Sequence, residues 1–320
     1  MRPWPEGAIR KMGSHYPVLL QEAVAALDVV PGRVYVDCTL GRGGHSSLIL
    51  NKLQGKGRLY CFDLDEEAVK ESRQRLLQAG ENFTLIHSNF AFLKEKLREE
   101  GVEKVDGILA DLGVSSPQFD EAERGFSYKE DAPLDMRMDQ TQAYSAFELV
   151  NQTPEKELAE IFYQYGEDPY SGKIAHSIAL ERKKKAIRTT GELVEIIKRS
   201  KPEKELRKKG HPAKQIFQAI RIAVNGEEDA LKALLQDGPE LLNPGGRLAI
   251  ITFMSLDDRL VKKSFQERAI AKVDRHQISL PGEEEMPYRI LTPKPILPSQ
   301  KELEENHRSA SAKLRVLERK

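Results

Sequence analysis

The sequence contains very little cysteine. Only two of the 320 residues are cysteines, Cys38 and Cys61, and both lie in apolar runs typical of buried strands. We therefore expect no disulfide framework, a reduced compartment and two packed core thiols. The seven histidines lack the paired His or Cys spacings that build a zinc or iron site, so we expect no metal.

Long hydrophobic runs and an excess of charge of one sign are also absent. No run of about 18 apolar residues occurs and the N-terminus lacks the apolar core of a signal peptide, so we expect no membrane partner and a cytoplasmic location. The 50 Lys plus Arg balance 50 Asp plus Glu, which neither favours nor excludes nucleic acid. A length of 320 residues is enough for an α/β core and a second unit.

From Arg33 onward, short β-branched or aromatic runs alternate with segments of helical period. This alternation is typical of a mostly parallel sheet covered by helices, so the fold class we expect is α/β with a Rossmann-like core. The predicted strands are 34–36, 59–62, 83–87, 105–110 and 247–253, and the predicted helices between them begin near Ser46, span 66–78 and close near Gly101.

After Asp111 the alternation stops, and helical stretches such as 154–165 and 174–185 follow. We predict a discontinuous core of residues 1–116 and 216–320, interrupted by an all-helical domain at 117–215. Because open α/β sheets bind ligands at the carboxyl ends of their strands, this insert is expected to recognise substrate. A stabilising cap without a substrate role is the alternative. The last 20 residues are predicted to form a polar tail or terminal helix.

The insert contains a strongly basic stretch. Between Glu181 and Lys214 there are 13 Lys plus Arg against 5 Asp plus Glu. This excess predicts a phosphate-binding surface, although a solvated helical face would have the same composition. The candidate RNA contacts in it are Arg182, Lys183, Lys184, Lys185, Arg207, Lys208 and Lys209.

A glycine-rich turn follows the first predicted strand and reads Asp37-Cys-Thr-Leu-Gly41-Arg-Gly43-Gly44-His45. Glycines let the backbone approach a ligand, and the next helix offers unpaired N–H groups. Where dinucleotide enzymes have a third glycine this chain has Ser46, and the Asp37 carboxylate would repel a pyrophosphate. The same carboxylate attracts an ammonium and a sulfonium, which favours S-adenosylmethionine as cofactor.

Asp63 ends the second predicted strand, about 20 residues beyond the glycines, where an acid can accept hydrogen bonds from ribose hydroxyls. The alternative for Asp63 is the N-cap of the following helix. His45, near a helix start, is either part of the cofactor turn or a packing residue.

Four further segments are long enough to indicate a protein family. They are Asp111-Leu-Gly-Val-Ser-Ser-Pro-Gln118, Arg124-Gly-Phe-Ser-Tyr128, Asp131-Ala-Pro-Leu-Asp-Met-Arg-Met138 and Phe217-Gln-Ala-Ile-Arg-Ile-Ala-Val-Asn225. With the Gly41 to His45 turn, they make the chain resemble the 16S ribosomal RNA cytosine-N4 methyltransferases, the RsmH/MraW family. The resemblance implies a class I methyltransferase core with a helical insert. It also implies methylation of the exocyclic amine of a small-subunit cytidine, with 16S ribosomal RNA or the small subunit as partner.

The resemblance also assigns roles to residues. The cofactor contacts implied by the family are Gly43, Gly44, His45, Asp63, Phe90, Asp111 and Gln118. The glycine-rich turn itself adds Asp37 and Gly41 as candidate cofactor contacts. Phe90 would flank adenine, with an ordinary core aromatic as the alternative. From its place at the end of the fourth predicted strand, Asp111 is the candidate to accept a hydrogen bond from the target amine, and cofactor binding alone is the alternative. Ser115 or Ser116 would assist, and Arg137 is a candidate RNA contact.

Alternatives to this family assignment remain at the level of sequence. Met254 stands where family members carry a histidine, which favours a catalytically silent RNA-binding assembly factor. A nicotinamide-dependent oxidoreductase with a similar core is a second alternative. The oligomeric state is open, with a homodimer as one candidate, and residues 1–11 look unlike the family, so Met12 is the expected start.

Overall fold

The computed structural model describes residues 17–270 and 286–320, and these form two compact units. The first unit contains the described residues up to Asp63, Glu67–Gly113, and those from Lys232 onward. The second unit contains Leu64–Glu66 and Val114–Leu231. Met12 lies outside the described residues.

The first unit is built on a sheet of seven strands within the described residues. They are β1 (Val34–Asp37), β2 (Arg58–Asp63), β3 (Phe83–His87), β4 (Val105–Asp111), β5 (Leu242–Thr252), β6 (Tyr288–Ile290) and β7 (Lys313–Arg319). The order is β3-β2-β1-β4-β5-β7-β6, with β1 to β5 parallel and β7 antiparallel to both β5 and β6. The predicted α/β Rossmann-like fold is thereby confirmed.

The described residues also form fourteen α-helices. They are α1 (Leu20–Ala26), α2 (Gly44–Leu53), α3 (Glu66–Ala79), α4 (Leu93–Glu99), α5 (Ser116–Asp120), α6 (Ala146–Gln152), α7 (Glu155–Gly166), α8 (Ser171–Lys184), α9 (Thr190–Ser200), α10 (Glu203–Leu206), α11 (Lys214–Asn225), α12 (Glu227–Leu241), α13 (Ser255–Ala269) and α14 (Gln300–Glu305). None of these helices has the length and apolar character needed to cross a membrane.

The central strands carry continuous apolar runs because parallel strands are covered on both faces. In β4, Ile108, Leu109 and Ala110 are fully buried, and both free cysteines are buried core residues, as expected. The strand order reverses between β1 and β4, which is the switch point where sheets of this class bind ligands. The acids that end β1, β2 and β4 therefore lie along one edge of the sheet.

The C-terminal segment is not the polar tail that the sequence suggested. It forms β7, which lies inside the sheet between β5 and β6, and its Leu314, Val316 and Leu317 are buried. The prediction of a polar tail was wrong because charged side chains in this segment form ion pairs with other parts of the chain. Arg315, for example, donates from Nε to Asp258 Oδ1 at 2.6 Å. Paired charges permit burial of a strand whose composition resembles that of a tail.

The second unit is helical and has its own apolar core. The unit extends to Leu231, beyond the expected boundary at residue 215, because Ile216, Phe217 and Ile220 of α11 belong to that core. The helix predicted to run on from Lys214 ends at Asn225, where Gly226 adopts a φ of 60° before α12 begins.

Candidate active site

The glycine turn between β1 and α2 is shaped by close neighbours. Gly43 adopts a φ of 73°, and its N–H donates to the Leu40 carbonyl at 2.7 Å. A Cβ added to Gly44 would lie 2.1 Å from Cγ of Pro17. Helix α2 begins at Gly44, two residues earlier than expected, so its first N–H groups belong to the turn itself.

Substitution of Gly44 by alanine is expected to displace this turn. The Pro17 overlap should destabilise the protein by about 1 to 3 kcal/mol, as overpacking does, and weaken S-adenosylmethionine binding. Urea unfolding and calorimetry measure the two effects. The control is Gly172→Ala in α8, where the added Cβ meets nothing within 4 Å and helix propensity favours alanine by up to about 1 kcal/mol. Unchanged stability and affinity in Gly44→Ala would contradict this account.

Two acids at strand ends accept hydrogen bonds from the glycine turn and the residues beside it. Asp63 accepts a hydrogen bond at Oδ2 from the Gly41 N–H at 2.7 Å. Asp37 is 1% exposed and accepts from the Thr39 N–H at 3.1 Å and from the Ser46 hydroxyl at 2.6 Å. Burial raises the pKa of Asp37. Both carboxyl oxygens of Asp37 therefore already accept hydrogen bonds from the chain itself.

Asp111, at the end of β4, is the acid with spare hydrogen-bonding capacity. Its N–H donates to the Thr39 hydroxyl at 2.7 Å, which ties β4 to the turn. The side chain is 23% exposed, yet its Oδ1 is buried and has no hydrogen-bond partner within the described part of the chain. Burial, followed by the charges of Asp37 and Glu302, raises the pKa of Asp111 to about 8. A buried acceptor of this kind is suited to a donor that arrives with a ligand.

His45 is held in one tautomer beside Asp111. The ring is 5% exposed, and its Nε2 lies 3.1 Å from the Val18 carbonyl, so Nε2 must carry the hydrogen. Nδ1 then carries the lone pair and lies 3.9 Å from Asp111 Oδ2. Burial lowers the pKa of His45, opposed by the charge of Asp37. A neutral imidazole therefore supports the turn, and His45 is a packing residue as well as part of the motif.

The remaining predicted cofactor contacts lie in different settings. Phe90 is partly exposed in a 3-10 turn just after β3, in the first unit, where Asn89 caps the turn by accepting from the Ala91 N–H at 2.9 Å. Gln118 lies in the second unit and is buried. Its Nε2 donates to Asp65 Oδ2 at 3.1 Å, and its Oε1 accepts from the Ser115 N–H at 3.0 Å. Both polar ends of Gln118 thus have partners in its own unit.

The candidate RNA contacts differ in whether their charged groups form hydrogen bonds or ion pairs within the protein. Arg137 donates to both oxygens of Asp135, at 2.9 and 2.7 Å, and to the Gln142 carbonyl at 2.6 Å. Arg182 donates to the Val150 carbonyl at 2.7 Å. These two guanidinium groups therefore stabilise the second unit. Four of the lysine and arginine side chains form ion pairs near solvent, namely Lys184, Lys185, Arg207 and Lys208. Within the described residues, Lys183 and Lys209 form none.

In each unit, sequence patterns do not reveal the partners of one charged residue. Glu302, in α14, accepts from the Leu19 N–H at 2.8 Å and contributes to the raised pKa of Asp111. Arg124, which is 3% exposed, donates to Asp65 Oδ2 at 3.0 Å and to the Met138 carbonyl at 3.1 Å. These partners lie far apart along the chain, so periodicity and spacing cannot reveal them. Among the described residues, no cluster of His, Cys, Asp or Glu could hold a metal ion.

The sheet has β1 to β5 parallel, β7 reversed beside β5, and a glycine turn at the switch point, which together define the Rossmann-like fold of the class I methyltransferases. The sequence pattern of the MraW methylase family matches residues 12–320, nearly the whole chain, and the chain belongs to that family. It is therefore an S-adenosylmethionine-dependent methyltransferase that acts on ribosomal RNA. The oxidoreductase and silent-factor alternatives are not retained.

Comparison with solved structures gives matches of low sequence identity and low TM-score. An rRNA methylase from Streptococcus thermophilus is 14% identical, with a TM-score of 0.40, and the match covers 95% of this chain and 97% of that one. A methyltransferase homolog from Pyrococcus horikoshii is 15% identical, with a TM-score of 0.45 and coverage of 100% and 73%. A Streptococcus mutans methyltransferase in complex with SAH is 13% identical, with a TM-score of 0.40 and coverage of 96% and 100%. Family membership rests on the sequence pattern.

Proposed function

We propose that this chain methylates the N4 amine of a cytidine in the RNA of the small ribosomal subunit, and that Asp111 accepts a hydrogen bond from that amine. The observation that carries the proposal is the buried Oδ1 of Asp111, which has no partner in the described chain and lies at the carboxyl edge of the sheet. The fold and the family supply the reaction class, and this atom supplies a place for the acceptor amine. A target on the ribosome makes the cytoplasm the proposed site of action.

The residues of the first unit fit the cofactor. When bound, S-adenosylmethionine supplies an electrophilic methyl group on a positively charged sulfur. Asp37 stabilises that charge through space, and Asp63 holds the turn by accepting from Gly41. Phe90 offers an aromatic face for adenine. His45, locked by Val18, keeps the start of α2 in place.

Asp111 acts on the acceptor amine. The N4 lone pair is delocalised into the cytosine ring, so the amine is a weak nucleophile and depends on positioning. A carboxylate that accepts from N4–H orients the remaining lone pair and stabilises the positive charge that develops on nitrogen. As the N–C bond forms, the bond between the methyl carbon and sulfur would break with its electron pair staying on the departing S-adenosylhomocysteine. The surplus proton of N4 would pass to Asp111 and then to solvent.

The test is methylation of isolated small subunits from a strain that lacks the endogenous enzyme. We expect incubation with labelled S-adenosylmethionine, followed by nucleoside mass analysis, to yield N4-methylcytidine. Naked 16S RNA and large subunits serve as parallel substrates, which separates recognition of assembled subunits from recognition of RNA alone. Methylation of another base or atom, or no methylation despite cofactor binding, would refute the proposal. A positive result would also show that Met254 is compatible with activity.

A further inference from the structure

The second unit carries an aromatic stack that the methyl-transfer site does not use. The rings of Tyr128 and His211 are stacked, with centroids 4.4 Å apart and planes inclined by 12°. Phe217 meets Tyr128 edge-on, at 5.7 Å and 87°. Phe217 is buried, whereas Tyr128 and His211 are partly exposed. The three rings therefore lead from the helical core of this unit to its solvent-accessible surface.

One hydrogen bond fixes the tautomer of His211. The Ala213 N–H donates to Nδ1 at 3.2 Å, so the neutral ring carries its hydrogen on Nε2. Burial and then the positive charge of Lys198 lower the pKa of His211. Both effects favour the neutral form at neutral pH. The ring therefore presents an uncharged π system together with a single N–H donor.

The residues that precede His211 bring positive charge to the same loop. Arg207, Lys208 and Lys209 are exposed, and Gly210 adopts a φ of 106°, in the region that favours glycine. The ion pairs of Arg207 and Lys208 lie near solvent, so they are weak and readily exchanged for phosphate. Lys209 has no ionic partner among residues 17–270 and 286–320.

A buried ion pair holds the loop in place. Lys201 contacts Asp168 inside the second unit and also donates to the Pro212 carbonyl at 2.7 Å. Pro212 is adjacent to His211, so this bond fixes the backbone beside the ring. A site that is already ordered loses little conformational entropy when a ligand binds.

We propose that the His211–Tyr128 stack binds an unpaired nucleobase of the RNA substrate, while Arg207, Lys208 and Lys209 contact the adjacent phosphates. The inference rests on the proposed function only in taking RNA as the substrate. Proteins bind single-stranded RNA by combining aromatic stacking with positive charge. Stacking accepts any base, and the Nε2–H of His211 adds one donor for a base oxygen or nitrogen.

The first test compares the affinities of three variants for a short single-stranded RNA, measured by fluorescence anisotropy. His211→Ala is expected to raise the Kd about 5- to 150-fold, the range found when a base-stacking aromatic is removed. His211→Phe keeps a ring and should remain within about threefold of the wild type. His176→Ala is the matched control, because His176 is an exposed histidine of the same unit paired with Glu155. Cofactor affinity and the urea midpoint establish that each variant is folded.

The second test separates the contribution of base stacking to RNA affinity from that of phosphate contacts. A series of RNAs carries one abasic nucleotide each, at successive positions. We expect the wild type to bind one RNA of this series more weakly than intact RNA. His211→Ala should bind all of them as it binds intact RNA. Lys209→Ala should reduce the slope of log Kd against log salt by about 0.7, the value for one phosphate contact on a single strand. Lys156→Ala, which removes an exposed lysine of α7, should leave the slope unchanged.

The outcomes distinguish this inference from the proposed function. If small subunits acquire N4-methylcytidine while His211→Ala and abasic RNA bind as tightly as the wild type and intact RNA, the stacking site is refuted and the function stands. If binding depends on the base and on His211 while no N4-methylcytidine forms, the stacking site stands and the function is refuted. Equal loss of affinity in His211→Ala and His211→Phe would also overturn stacking.

Discussion

Asp111→Asn is expected to lower the rate of methyl transfer about 10²- to 10³-fold while making the folded protein more stable. The rate falls because an amide is a much weaker acceptor for a developing positive charge. Stability rises because the wild-type protein buries a carboxyl whose pKa is raised to about 8, and the uncharged amide avoids that cost. At alkaline pH we expect a gain of about 1 to 3 kcal/mol, because asparagine replaces a buried negative charge by a neutral polar group.

The sign of the pH dependence follows from the two pKa values. The unfolded carboxyl ionises near its ordinary pKa of about 3.9, whereas the folded one ionises near 8, so wild-type stability from this group falls as the pH rises between those values. The stability of Asp111→Asn should therefore match that of the wild type at about pH 3.9 and exceed it above pH 8. In the wild type, kcat/KM for the cofactor should rise with pH and level off above about 8.

Single-turnover methylation and urea unfolding at several pH values measure both effects. Asp106→Asn is the matched control on the same strand. Asp106 accepts from the Val34 N–H at 2.9 Å and from Asn243 at 3.1 Å, so its loss should reduce stability and leave the transfer rate unchanged. An Asp111→Asn variant that transfers methyl at the wild-type rate would remove the acceptor role. One with unchanged stability above pH 8 would contradict the raised pKa.

Asp168→Asn is expected to produce the largest loss of stability among polar substitutions in the second unit, about 3 to 5 kcal/mol. Asp168 is fully buried and Lys201, its partner, is 6% exposed. The substitution leaves the ammonium buried without its counter-charge. Because Lys201 also donates to the Pro212 carbonyl, the loop that bears His211 should loosen as well. Urea unfolding gives the free energy, and hydrogen exchange of residues 207–213 gives the local effect.

Two variants make the Asp168 result specific. The double substitution Asp168→Asn with Lys201→Met should recover much of the lost stability, since it removes the uncompensated charge. Glu203→Gln, which breaks the exposed Arg207 pair, should produce no measurable change. A loss below about 0.5 kcal/mol in the single variant, or no recovery in the double, would show that this pair does not hold the unit together.

Asp168 and Asp111 are buried acids with opposite roles. The chain supplies the Asp168 carboxylate with a cation and one backbone donor, whereas one oxygen of Asp111 has no donor within the described residues. A satisfied acid stabilises the fold, and an unsatisfied one is costly to stability and available to a ligand. This contrast is the physical reason for assigning the chemistry to Asp111.

The sequence by itself determined the core strands, the helices between them, the glycine turn, and the acids Asp37, Asp63 and Asp111 at strand ends. These features follow from periodicity and from residue types with narrow conformational uses, which act over a few neighbours. The sequence also carried the family motifs.

Only the tertiary structure decided the features that depend on distant partners. Residues 313–319 have the composition of a tail, yet they form an internal strand because Asp258 and other partners neutralise their charges. The pKa of Asp111 depends on burial and on Glu302, and the stack of His211 on Tyr128 joins segments 83 residues apart. Burial and charge pairing arise between segments that meet only in the fold, so local patterns along the chain could not predict them.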